Sequence, residues 1–320
     1  MDLIRHGDRT PTDSIPKAPY DWTQGLGQLT ATGMHQEFKL GAGLREKYVD
    51  QYHLLSPHYT IGEIYVRSTD YERTLMSAES FLTGLYPPGT GPTLPDSTIS
   101  ALPYGIQPIP IHTVPQNKDM LLLHDQEESF NFLLEKYVFT QHEWIHHENQ
   151  IKSKLPRWSE AIGTPLKNLY DLSWLGDILF IDKLYHVAMP KGLSEDDVNE
   201  IISEGKWSFV HAYAPKSVST PIGKNLLKNI ATAISKASQG KSRVKYILYS
   251  AHDSTILTLM SIMGVPLTKA PPYASDINFL VFVDDNQNRY IKITYNNEPV
   301  SLPACGGTRC SIEQFVSLSL

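Results

Sequence analysis

Leu3-Ile4-Arg5-His6-Gly7-Asp8-Arg9-Thr10-Pro11 stands at the start of the chain, and its reading decides the fold. A short apolar run delivers two arginines and a histidine within five residues, and Pro11 disfavours helical backbone at Thr10. This predicts the end of a buried strand running into an anion-binding loop. Arg5 and Arg9 are permanent cations whose planar forks match phosphate oxygens. His6 between them is a candidate nucleophile toward phosphorus, because neighbouring positive charge favours the neutral ring and keeps a nitrogen free. Gly7 is expected to let the backbone approach a ligand closely.

Two further apolar segments end in related chemistry. Residues 61–66 read as a strand ending at Arg67-Ser68-Thr69, and residues 245–250 as a buried strand ending at Ala251-His252-Asp253. Helices are predicted over 30–52, 71–85, 220–239 (with Pro221 at its first position) and from 253 to about 263. Residues 277–284 and 289–295 form a hairpin-like pair, and the proline-rich stretch 106–114 belongs at a sheet edge. Strands alternating with helices predict an α/β sandwich around a mixed sheet. Ligands of such sheets lie beyond the carboxyl ends of the strands, so the three chemistry-bearing ends are expected to converge. Residues 119–214 are mostly helical in pattern and read as a cap inserted into a core made of 1–118 and 215–320.

Phosphoryl transfer to a protein nucleophile needs an in-line attacking atom, cations on the equatorial oxygens and an acid for the departing alkoxide. His6 supplies the first. Arg5, Arg9 and Arg67 supply the clamp, with His252 as a further donor, and Asp253 is the proton donor. No metal or other cofactor is required. Tyr20 and Trp22, in the loop that follows the motif, are candidates for the rim of the leaving-group pocket, and Asp8 is assigned a local structural role.

The net charge of -6 excludes a non-specific nucleic-acid binder, and no apolar run is long enough to span a bilayer. His142-Glu143-Trp144-Ile145-His146 matches the H-E-x-x-H pattern of zinc proteases. Its polar flanks indicate a solvated helix and no third-ligand motif follows, so a metalloprotease is kept only as a remote alternative. Cys305 and Cys310 are spaced for a short-range disulfide or for two free thiols. Only Asp2-Leu3-Ile4 precede Arg5 after Met1, which leads to the expectation of a chain trimmed at a mature boundary, with its signal peptide already removed.

Arg5-His6-Gly7-Asp8-Arg9-Thr10-Pro11, taken with His252-Asp253, resembles the signature pair of the histidine acid phosphatases. Gln24 to Thr30, Tyr65 to Asp70, Arg73 to Ala78, Gln107 to Pro115, Tyr249 to Asp253 and Pro271 to Ser275 are similar to stretches of the prostatic and lysosomal type. The resemblance spans nearly the whole chain and is weakest over 119–214. It implies a three-layer α/β sandwich with a helical cap and metal-independent phosphohistidine catalysis. It also implies an acidic pH preference, small phosphomonoester substrates, and an exported, periplasmic or secreted enzyme that is often a homodimer. It assigns Arg5, His6, Arg9, Arg67, His252 and Asp253 to the phosphate pocket. The scarcity of cysteines and the lack of N-glycosylation sequons fit a bacterial relative. A phytase of the same family is the alternative; residues 119–214 are not strongly basic, which favours a generalist phosphatase.

Overall fold

The computed structural model describes residues 1–123 and 128–319. Its strands, β1 (Asp2–Arg5), β2 (Ile64–Ser68), β3 (Ile111–His112), β4 (Tyr246–Ala251), β5 (Asp276–Val283), β6 (Arg289–Tyr295), β7 (Glu298–Pro299) and β8 (Arg309–Ser311), form one mixed sheet. The order is β3-β2-β4-β1-β5-β6-β7, with β8 pairing β6. β1 to β4 run parallel, and everything from β5 onward is antiparallel. Four-residue β1 lies at the seam: Ile4 is opposite Ser250 on the parallel side and Asp276 on the antiparallel side. A strand so short and wholly buried is central because its neighbours supply both hydrogen-bonded edges.

Side-chain alternation along the strands divides the core into two layers. Ile4, Val66 and Leu248 face α1 (Ala31–Arg45) and α2 (Glu72–Leu85), packing with Leu44, Tyr48, Phe81 and Leu85. α1 continues into a turn of π-helix over Glu46–Gln51, close to the predicted helix end. Next come α3 (Glu128–Tyr137), α4 (His142–Ile151), α5 (Leu155–Ile162), α6 (Asp171–Leu184) and α7 (Glu195–Tyr213), which bury their own cluster around Trp144, Trp158, Leu172 and Ile201. α8 (Lys216–Ser238), α9 (Asp253–Ile262) and α10 (Ile312–Ser317) cover the other face of the sheet. There Leu3, Tyr249, Ile277 and Phe279 pack with Leu226, Ile230, Ile256 and Leu259. Each such aliphatic or aromatic side chain contributes about 1.5–3 kcal/mol on burial. The fold is therefore an α/β sandwich, as expected.

One helix starts earlier than the sequence suggests. α8 begins at Lys216 after Pro215, so Pro221 lies inside it rather than at its first position. The missing N–H costs a hydrogen bond to the Ser217 carbonyl. Burial of Val218 and Ile222 against the α3–α7 cluster offsets that loss. Cys305 and Cys310 are joined by a disulfide that closes the turn between residues 303–305 and β8.

Behind β1 lies a layer of buried carboxyl groups. Asp2 accepts hydrogen bonds from Tyr48 Oη at 3.1 Å and Asn278 Nδ2 at 2.6 Å. Asp276 and Glu37 are almost wholly buried, and neither Glu37 oxygen has a hydrogen-bond partner. Burial, reinforced by the Asp2 charge, pushes Asp276 up to about 7. Burial and the Asp276 charge raise Glu37 well above the carboxylate range, with Arg5 pulling the other way. Burial also pushes Asp182 up to about 6. An unfolded aspartate titrates near 3.9, so between roughly pH 4 and 7 the folded chain holds protons that the unfolded chain has released. Stability from these groups is therefore full at low pH and falls as pH rises toward 7. His6 and the Met1 amino group, both lowered by burial, act in the opposite sense below about pH 6.5 and about pH 8, two groups against three. Thermal melts should show a higher midpoint at pH 5 than at pH 7.5, and Asp276→Asn should shrink the difference. A midpoint that rises with pH would contradict this account.

Candidate active site

The site is built where β1, β4 and β2 end side by side. The His6 N–H donates to the Ala251 carbonyl at 3.1 Å, which brings the His6 and His252 rings to 5.6 Å, edge to face. The Thr69 N–H donates to the Ser250 carbonyl at 3.1 Å, and Thr69 Oγ1 lies 3.0 Å from His252 Nε2. Three strand ends thus converge, as their sequence predicts.

His6 is 2 % exposed, and its Nδ1 is 2.8 Å from the Gly7 carbonyl. A carbonyl oxygen only accepts, so Nδ1 carries the proton and Nε2 keeps the lone pair. Burial lowers the His6 pKa well below the usual imidazole range, and the charges of Arg73, Arg5, Arg9 and His252 lower it further. The ring therefore stays neutral into the acid range.

The cations around it are held in different ways. Arg5 pairs with Asp253 at 2.8 Å, donates to the Pro271 carbonyl at 2.5 Å and stacks 4.2 Å over the Tyr273 ring. Arg9 pairs with Asp177 at 3.0 Å. Arg73, in the first turn of α2, lies 4.4 Å over Tyr71. Burial and then the Arg9 charge push Arg73 down to about 10, which leaves it a cation in any acidic or neutral solution. The Nε atoms of Arg5, Arg9 and Arg73, and of Arg67 as well, are buried and have no hydrogen-bond partner among the described residues. Buried donors of this kind are normally satisfied, and an oxyanion would satisfy them. Asp253 is the first residue of α9, where its Oδ1 accepts the Ser254 N–H at 2.9 Å.

The loop is shaped from beneath by α1. Thr30 caps that helix, accepting from the Gly33 N–H and donating to Asp8 at 2.6 Å. Tyr185 Oη also donates to Asp8. A Cβ on Gly7 would meet the Gly33 carbonyl at 2.4 Å, and one on Gly33 would meet the Asp8 carbonyl at 2.2 Å. Gly7 is thus required by the approach of α1, a constraint that stands beside the close ligand approach expected from the sequence. Beyond the arginines a cavity of about 840 Å³ opens toward α6 and α7, with Tyr170, Trp174, Trp207, Phe209 and Tyr213 in its walls.

Arg67 is not part of this group. It lies within β2, and its guanidinium is taken by Asp119. Asp119 also accepts the N–H groups of Leu121 and Leu122, so the pair anchors that segment. The third arginine is Arg73, six residues further on. The sequence signal for it was present in Arg73 to Ala78: a cation in the first turn of a helix that follows a strand. Tyr273, which stacks on Arg5, was likewise not singled out. Tyr20 and Trp22 do not line the cavity; Trp22 packs edge to face on Tyr185 at 5.4 Å and on Tyr20 at 5.0 Å. His142, Glu143 and His146 are exposed on α4, and no group of three or more potential ligands assembles among the described residues.

The family model of the histidine phosphatase superfamily, branch 2, matches residues 2–296. The chain belongs to this family. Lysosomal acid phosphatase of Xenopus laevis is 34% identical over 99% of this chain and 74% of the relative. Human lysosomal acid phosphatase is 32% identical over 99% of this chain and 76% of its own length. Human prostatic acid phosphatase is 31% identical over 99% of this chain and 83% of the relative. Among solved structures, the phytase of Klebsiella sp ASR1 superposes with a TM-score of 0.73 at 17% identity, covering 99% of this chain and 93% of that one. Hafnia alvei phytase gives 0.67 at 18% identity, covering 99% and 94%. At such identities these structures share the branch 2 fold.

The two arginines are separable by experiment. Arg73→Ala should lower kcat/KM by about 10²–10³, the scale for losing one preorganised donor to a developing charge. Arg67→Ala should keep kcat/KM within about fivefold, yet lower the melting midpoint, because an unpaired buried Asp119 costs about 3 kcal/mol. Steady-state kinetics and thermal melts of the two variants check both.

Proposed function

We propose that this member of the family is a metal-independent phosphomonoesterase that works through a phosphohistidine on His6. The observation that carries the reading is the Nδ1–H to Gly7 hydrogen bond of a buried, neutral His6 among three arginines. The Nε2 lone pair attacks phosphorus while Arg5, Arg9 and Arg73 neutralise the equatorial oxygens. The P–O ester bond breaks and its electron pair leaves with the alkoxide, which takes a proton from Asp253; Asp253 holds that proton once the bound phosphate monoanion has given it up and taken its place on Arg5. Water then attacks phosphorus and gives its proton to the Asp253 carboxylate, and the P–N bond breaks with its electron pair returning to Nε2. Phosphate is released and neutral His6 is restored. His252, beside His6, is a further donor to the phosphoryl group.

Small phosphomonoesters at acidic pH are the proposed substrates. The solved structures of like fold are phytases, which keeps inositol phosphates as the alternative. The aromatic walls beyond the arginines support a leaving group with apolar surface, and Lys206 and Lys269 in the same lining leave room for an anionic one. Helices α3–α7 are proposed as the cap that sets this choice. The disulfide supports an exported, periplasmic or secreted setting, since such bonds persist in oxidising compartments. No helix among the described residues is long and apolar enough to cross a membrane.

His6→Ala should abolish turnover of an aryl phosphate at pH 5 and remove the phosphoprotein expected from the wild type after quenching into alkali, where the P–N bond of a phosphohistidine survives. Asp253→Asn should slow alkyl phosphates by about 10²–10⁴, the usual range for a lost general acid, while activated nitrophenyl phosphate loses far less. Equal losses on both substrates would remove Asp253 from the acid's role.

A further inference from the structure

Helix α6 reaches the opening motif twice. Asp177 accepts from Arg9 Nη2 at 3.0 Å, and Tyr185, at the end of α6, donates to Asp8. Asp8 and Arg9 belong to the loop that carries His6. The rest of Arg9's surroundings hold it weakly: Nη1 reaches only the adjoining Thr10 carbonyl at 3.2 Å, and Nε has no partner. Arg5, in contrast, is fixed by a carboxylate, a carbonyl and a ring. Asp177 is thus the one side chain that hydrogen-bonds to Arg9 among the described residues, and it comes from the helices beyond the core.

We propose that Asp177 is a positioning residue for the phosphate site, holding the Arg9 guanidinium from α6 so that its remaining donors face the anion. This rests on the phosphatase reading above. Two effects of the carboxylate oppose each other. It subtracts from the positive field on the phosphate, and it removes rotamer freedom that a long cation otherwise keeps. Ground-state binding feels mainly the field. The chemical step, which depends on donors placed for the transition state, feels mainly the placement.

The two effects make a signature that simple loosening would not produce. In Asp177→Asn, kcat should fall about tenfold, as for a modest misplacement of a clamping group. Inhibition by inorganic phosphate should stay unchanged or become tighter. Asp177→Ala should behave likewise, and Asp177→Glu, which keeps the charge, should recover most of kcat. Asp177 lies in mid-helix with its side chain 31% exposed, so Asn and Ala leave α6 intact. In an Arg9→Ala background, Asp177→Asn should change kcat/KM less than twofold, because partners acting as one unit are non-additive. Phosphate affinity by calorimetry completes the cycle if turnover becomes too slow to measure. A kcat within twofold of wild type, weaker phosphate inhibition alongside a lower kcat, or an equal loss without Arg9 would overturn the proposal. A wild type with no phosphatase turnover would instead overturn the reading on which it rests, and this inference with it.

Discussion

Three buried guanidinium groups around one histidine repel one another, and the rest of the site exists to tolerate that repulsion. Two unit charges ~6 Å apart repel by about 3 kcal/mol at an effective dielectric of ~20. The structure answers with Asp253 on Arg5, Asp177 on Arg9, and tyrosine rings against Arg5 and Arg73. Each device comes from a different element: α9, α6, the loop before β5, and the turn into α2. Burial first, and then the residual positive charge, keeps His6 unprotonated, and that charge leaves the cluster suited to an anion. One electrostatic constraint therefore bears both on the neutral state of His6 and on the way the elements meet.

Much of this was legible in the sequence. The strand ends at Arg5 and His252, and the hairpin of β5 and β6, follow from apolar runs bounded by polar punctuation. Arg67 misled because it ends an apolar run in the same manner as Arg5. Strand position cannot tell a side chain that points into the crevice from one that meets a carboxylate such as Asp119. Arg73 and Asp177 were missed for a common reason: each acts from a helix whose placement depends on tertiary packing. Pro221 misled because proline is at home in a first turn, and only the burial of Val218 and Ile222 explains why the helix runs through it.

The glycine in the motif has a reading that only packing supplies. Gly7 and Gly33 allow the start of α1 to press directly on the loop that carries His6. That contact sets the loop's height above the sheet, and Thr30 and Asp8 lock it. The loop is thus fixed from below by α1 and from above by α6, with little freedom left for His6 to drift.

The seam position of β1 has a consequence for how the molecule is made. The first strand of the chain pairs with Leu248 to Ala251 on one side and with Asp276 to Asn278 on the other. Its partners thus lie more than two hundred residues away along the chain. Loop-closure entropy must be met before these pairings give any return, and topologies dominated by such distant contacts fold slowly. During synthesis the strand that leads into His6 has none of its sheet neighbours until β4 and β5 exist. Helices α1 and α2, which pack locally on each other, are able to form early, whereas the phosphate site closes only when β4 and β5 arrive on either side of β1.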